Sequence, residues 1–288
     1  MTASSRGLVL IVGLPASGKS TFLGALLHCV SNSQADSQLR LPKNVGEFKG
    51  LWELEQRWLA CEEIERTVKA AESMNVIQLR HKTSGQDYEL VFPDLSGERF
   101  EAQWRERQCD GEYAELVRES VGVVLMVNPE KIVNTPRLED LPAAARLGNG
   151  AQTGDAPPPS DWDADDTSTQ VKLVDLLQSL LELKGGWGKE KLAVVVSLWD
   201  KIAPSGKAPE DVVRSRFPLL HQFLVASRQF DTRYFGVSAQ GGDYETDRER
   251  LLTLSPPIER IKIVTLQHEG HDLTLPIVWS LGLDTEDD

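Results

Sequence analysis

The chain has 288 residues, 40% of them hydrophobic and 26% charged, with a formal net charge of -13. That length can bury a sizeable core without disulfide or metal staples, and the acidic balance argues against non-specific nucleic-acid binding and against docking on anionic lipid. No apolar run reaches the roughly 18 residues a membrane helix needs, the N-terminal MTASSRG runs straight into the first apolar segment, and Cys29, Cys61 and Cys109 are too widely spaced for a disulfide framework or a zinc site, so a cytoplasmic protein is expected.

The first apolar run, Leu8 to Val12, reads as a buried strand, and a helix is predicted from about Lys19. Between them GLPASGKS has the spacing G-x-x-x-x-G-K-[ST]. Gly13 and Gly18 permit a backbone that turns successive N–H groups into one concavity, to which the helix N-terminus adds partial positive charge. Lys19 reaches the β- and γ-phosphates in such a loop, and the Ser20 hydroxyl ligates Mg²⁺. Pro15, Ala16, Ser17 and Thr21 complete the predicted phosphate-contacting set.

A polar stretch over 31–47 follows, and then Leu51, Leu54, Trp58, Cys61, Ile64 and Val68 recur at helical spacing. Packing on the sheet is the bland reading of the tryptophans there, and a partner surface the sharper one. Runs at 75–82 and 87–95, joined by TSGQ, read as a hairpin. Residues 98–119 look helical, and VGVVLMVNP reads as a buried strand. Residues 130–170, rich in Gly, Pro and Asp, are expected to form an acidic, solvated insert rather than a domain. Helical periodicity returns in QVKLVDLLQSLLELK, followed by the strand KLAVVVSLWDK, a helix around 209–229, the strand TRYFGVSAQ, a further strand candidate RIKIVTL and a last apolar segment LTLPIVWSLGL. HEGH at 268–271 lacks metalloprotease spacing and reads as a polar turn.

Strands alternating with helices imply an α/β fold with a doubly wound sheet. The expectation is one domain over 1–288, with a mostly parallel sheet of six strands and one antiparallel edge strand.

The hairpin ends in DLSGE, residues 94–98. A carboxylate at a strand end, here Asp94, is the usual partner of a P-loop, holding Mg²⁺ through water. Gly97, three residues on, allows a backbone N–H to approach and sense a γ-phosphate. Ligands sit at the carboxyl ends of parallel strands, so the base should be read at later strand ends. Asp200 can accept from the N1–H and exocyclic amine of guanine, a donor pair that adenine lacks. The backbone of Ser238, Ala239 and Gln240 could meet the base carbonyl.

In order and approximate spacing, the loop 13–20, DLSGE, SLWD and SAQ resemble the Ras-like, TRAFAC-class P-loop GTPases, over nearly the whole chain. In finer detail GLPASGKSTFLGALLH, LACEEIERT, DLSGERF and HDLTLPIVWSL are similar to the bacterial double-GTPase family, first component. That resemblance implies a G domain acting beside a second GTPase and effector proteins in multi-gene bacterial conflict or signalling systems. It also implies a base motif N/T-K-x-D, where this chain has Ser197-Leu198-Trp199-Asp200. Leu198 lacks the stem that usually covers the base, a role Trp199 or Lys201 could share. Glu98 stands where Ras-like enzymes carry the water-orienting Gln. For the switch residue that caps Mg²⁺, Thr67 is the candidate and Ser73 the alternative. Arg66 reads either as an arginine finger in cis or as an ordinary solvated helix arginine.

The sequence therefore predicts a GTP-binding switch that hydrolyses GTP slowly with Mg²⁺ and works through protein partners, with no nucleic acid and no membrane. Two rivals stand: a pseudo-GTPase scaffold whose nucleotide only shapes a partner surface, and an ATP-dependent P-loop kinase or ATPase.

Overall fold

A computed structural model of the chain describes residues 7–32, 36–42, 49–63, 75–93, 97–134, 164–185, 188–203 and 206–283. Strands β1 (Gly7–Val12), β2 (Leu39–Arg40), β3 (Asn75–His81), β4 (Asp87–Phe92), β5 (Ser120–Val127), β6 (Glu190–Val196), β7 (Phe230–Ser238), β8 (Lys262–Val264) and β9 (Glu269–Gly270) form one sheet in the order β2-β3-β4-β1-β5-β6-β7-β8-β9. The run β4-β1-β5-β6-β7 is parallel, while β3 and β2 add antiparallel strands at one edge and β8 and β9 at the other. The sheet thus exceeds the six strands expected. Of the additional strands, β8 falls within the candidate RIKIVTL, while β2 and β9 have only two residues each, too few to show an alternating pattern.

The helices are α1 (Lys19–Ser31), α2 (Lys49–Leu59), α3 (Glu98–Glu106), α4 (Gly111–Glu119), α5 (Thr169–Lys184), α6 (Trp199–Ile202), α7 (Pro209–Arg216), α8 (Pro218–Ser227), α9 (Arg248–Thr253) and α10 (Leu275–Ser280). Two hydrophobic cores lie on the sheet's two faces. One joins Phe22, Leu26, Trp58, Ile77, Val195 and Val278. The other joins Leu10, Phe100, Tyr113, Leu177, Val194 and Phe217. Strands buried on both faces read as continuous apolar runs, which is why β1 and β5 were legible. Chain order places β4 on one side of β1 and β5 on the other, so β1 ends at the topological switch point where ligands bind such sheets.

Three predicted helices are shorter or split. The 98–119 segment breaks at Arg107 (φ 55°), and Asp110 restarts it as N-cap of α4, accepting from Tyr113 N at 2.7 Å. The 209–229 segment breaks before Pro218, which has no N–H to give and pushes Phe217 out of the helical region. Of the stripe expected to run from Leu51 to Val68, α2 ends at Leu59 and Cys61 has φ 50°; Ile64 and Val68 lie outside the described residues. HEGH contributes a two-residue strand, β9, beside its turn.

The flanks of the acidic insert are tied together. Val133 N donates to Thr169 Oγ1 and Thr169 N to Val133 O, both at 2.9 Å. Ser168 caps α5 by accepting from Val171 N. The three cysteines are free, and burial pushes the Cys29 thiol up to about 12. Among the described residues no helix is long and apolar enough to cross a membrane.

Candidate functional site

The β1–α1 loop is the centre of the site. Its last residue, Gly18, is the N-cap of α1 with φ 93° and carries no side chain to occupy the first-turn N–H groups. The Lys19 ammonium is buried and lies across the loop, donating to Gly13 O at 2.6 Å and Leu14 O at 3.1 Å. A buried cation needs such partners. Ser17 is buried within the loop, while Pro15, Ser20 and Thr21 are half-buried and Ala16 is exposed at its tip.

Two other strand ends brace this loop. Asn128, just past β5, donates from Nδ2 to Ala16 O at 2.8 Å and accepts from Glu130 N. Sequence reasoning missed Asn128; the signal was a polar residue directly after the apolar run of β5. Ser197, just past β6, is buried with its hydroxyl on Val127 O at 3.1 Å, and a Cβ added to Gly18 would lie 3.3 Å from the Ser197 Cβ.

The helix α3 points its N-terminus at the same loop. Gly97, its N-cap, has φ 85°. A Cβ there would meet Pro15 N at 2.4 Å and Leu14 C at 2.6 Å, so only glycine fits. Two helix N-termini, those of α1 and α3, therefore converge on one glycine-containing loop, an arrangement suited to a polyanion. Glu98 follows as the first residue of α3 and is exposed.

At the ends of β6 and β7 the Ser238 hydroxyl donates to Asp200 Oδ1 at 2.6 Å and accepts from Gly241 N at 3.1 Å. These are two of the residues expected to meet a base, and the structure puts them together. Gln240 donates to Gly242 O at 2.6 Å, and the Ala239 carbonyl accepts from the Trp58 indole at 2.8 Å. Lys201 pairs with Asp243 at 3.5 Å, both side chains about half exposed. The expectation that Trp199 could cover a base is corrected: its ring is buried against Gly236, where a Cβ would fall 2.2 Å from a ring carbon. Leu198 has φ 54° and ψ 38°, a left-handed conformation that costs a non-glycine residue about 1–2 kcal/mol.

Arg66, Thr67, Ser73 and Asp94 lie outside the described residues. Among the described residues no group of three or more His, Cys, Asp or Glu is placed to hold a metal. The oxygen donors named by the sequence, a hydroxyl at Ser20 with Thr67 and Asp94, are the hard ligands that Mg²⁺ takes.

A family model described as Double-GTPase 1 matches residues 10–280. The chain belongs to that family. Its membership supports guanine-nucleotide binding and nucleotide hydrolysis in general. Comparison with curated proteins gave no match. Among solved structures, bacterial selenocysteine-specific elongation factor EF-Sec is 14% identical with a TM-score of 0.38, covering 85% of this chain and 28% of its own. The Saccharomyces cerevisiae Ski7 GTPase-like domain bound to GTP is 15% identical with a TM-score of 0.46, covering 98% and 51%. The Trypanosoma brucei small GTPase Arl6 is 13% identical with a TM-score of 0.37, covering 85% and 95%. The Double-GTPase 1 chain thus spans 28% of the EF-Sec chain and 51% of the Ski7 chain.

Proposed function

We propose that this Double-GTPase 1 chain is a GTP-binding switch that hydrolyses GTP slowly to GDP and phosphate and acts on protein partners. The observation that carries the reading is the Asp200–Ser238 pair, held at 2.6 Å on strand ends whose neighbour Ser197 touches the phosphate loop at Gly18. In this reading Asp200 accepts from guanine N1–H and the exocyclic amine, and the 238–240 backbone faces the base carbonyl. Lys201 lies at the rim of the base site.

In hydrolysis a water oxygen bonds to the γ-phosphorus as the bridge to the β-phosphate breaks, and negative charge moves onto that bridge. Lys19 and the N-termini of α1 and α3 stabilise that charge. Gly97 brings the start of α3 within reach of the γ-phosphate, and Glu98 positions the water. Ser20, Thr67 and Asp94 would hold Mg²⁺, which neutralises phosphate charge when bound. Arg66 is the candidate for a cation supplied in cis. Without an activating arginine, turnover in such switches falls to about 10⁻⁴ per second. In this reading the partners are a second GTPase and effector proteins of a bacterial conflict or signalling system, the chain works in the cytoplasm, and its net charge of -13 disfavours nucleic acid and anionic membrane.

Leu198 in place of the usual Lys and the acidic Glu98 favour one second reading, a scaffold that binds GTP without turning it over. Competition of GTP, GDP, ATP and ADP against a fluorescent guanine nucleotide, followed by single-turnover hydrolysis, separates these. The switch reading expects guanine to outcompete adenine by about tenfold or more, a difference of roughly 1.4 kcal/mol, with slow phosphate release. Guanine binding with no cleavage, alone or with partner, leaves the scaffold. Equal binding of ATP rejects both.

A further inference from the structure

The helix α2 is bound to the loop assigned to the base. Trp58, in its last turn, is fully buried and donates its indole N–H to the Ala239 carbonyl at 2.8 Å, across 181 residues of sequence. The indole packs near two further groups, the His28 ring with its centroid at 5.2 Å and the Arg260 guanidinium at 5.3 Å. His28 is itself fixed by Glu55, one turn earlier on α2, at 3.1 Å. Arg260 is buried and donates to the Trp58 and Leu59 carbonyls, at 3.2 and 3.1 Å, and to Cys61 Sγ at 3.1 Å. Those are carbonyls that a helix C-terminus leaves without intrahelical partners, and a cation suits that end of the dipole.

A peptide unit is planar and trans, so its C=O and N–H point in opposite directions. Fixing the Ala239 carbonyl on Trp58 therefore also fixes the direction of the Gln240 N–H. The residue before, Ser238, is tied to Asp200. We propose that Trp58 is a positioning residue for purine selection, holding the 238–240 backbone against the base from a helix that belongs to neither base motif. Removing its N–H loosens that backbone and weakens guanine, while adenine, which has no carbonyl at that position, is unaffected. The inference rests on the assignment of Asp200 and 238–240 to the base.

Trp58→Phe keeps an aromatic ring near His28 and Arg260 but cannot donate. The experiment measures GDP and ADP affinities of the parent and of Trp58→Phe. The expected result is GDP weaker by about 5- to 10-fold with ADP unchanged, the size of one lost buried hydrogen bond, so the selectivity ratio falls by that factor. A purely structural role lowers thermal stability, or weakens both nucleotides alike, and leaves the ratio intact; an intact ratio overturns the inference while leaving the guanine site standing. A parent that does not prefer GDP overturns the base assignment and this inference with it. Should Trp58→Phe not fold, hydrogen exchange on the parent decides: saturating GDP should protect amides of 51–60 more than saturating ADP does, and equal protection rejects the proposal.

Discussion

Gly97 and Pro15 meet backbone to backbone: a Cβ on Gly97 would sit 2.4 Å from the Pro15 nitrogen, and Gly97 holds φ 85° at the start of α3. The start of α3 is therefore packed on the phosphate loop with no room for a side chain at Gly97. Gly97→Ala adds both a clash with backbone and a strained φ, and one of the two loops must shift. Single-turnover GTP cleavage should fall by about tenfold or more, since misplacement by an ångström is costly to a positioned reaction. An unchanged rate would show that α3 does not approach the γ-phosphate.

Lys19→Ala removes a buried ammonium that bonds the Gly13 and Leu14 carbonyls. Several phosphate charges lose a close cation, and charge-assisted bonds are the strong ones. Triphosphate affinity should drop by about 100-fold or more, equivalent to roughly 3 kcal/mol. Competition binding measures it, and near-parental GTP affinity would remove the phosphate loop from the site.

Glu98→Gln replaces an exposed carboxylate at the first position of α3. A neutral amide still orients water and no longer repels the γ-phosphate, so cleavage should be preserved or raised. A loss of about 100-fold would instead make Glu98 a general base.

Much of this site was legible because its parts are local. The phosphate loop is eight contiguous residues with a fixed spacing, and Asp200 and Ser238 each close an apolar run, where a parallel sheet gathers its ligand groups. What escaped is long-range or backbone-driven. Nothing near Trp58 in sequence announces Ala239, and nothing near Asn128 announces Ala16. Trp199 reads as a residue that could cover the base, yet Gly236 on β7 opens a slot that takes its ring. The break before Pro218 is legible in the proline itself, although apolar residues continue on both sides of it.

The paired backbone at Val133 and Thr169, the Ser168 cap and the bond from the Trp104 indole to Ala164 O at 3.0 Å hold the insert's ends without its middle. Replacing 137–161 by a short Gly-Ser link should leave GDP affinity unchanged and the melting temperature within about 2 °C, because loop length enters stability only logarithmically. Calorimetry with a larger fall would show that the insert contributes to the core.

The most direct test of the guanine assignment is the affinity of Asp200→Asn for GTP and XTP. The asparagine amide would oppose guanine's exocyclic amine, donor against donor, whereas xanthine places a carbonyl there and keeps N1–H, matching the asparagine's NH₂ and oxygen in order. An unpaired polar group costs about 1–3 kcal/mol, roughly 5- to 150-fold in affinity. The account predicts GTP weakened within that range and XTP strengthened, with ATP weak in both proteins. A variant that keeps its GTP affinity and gains nothing for XTP would contradict it, and Asp200 would not read guanine.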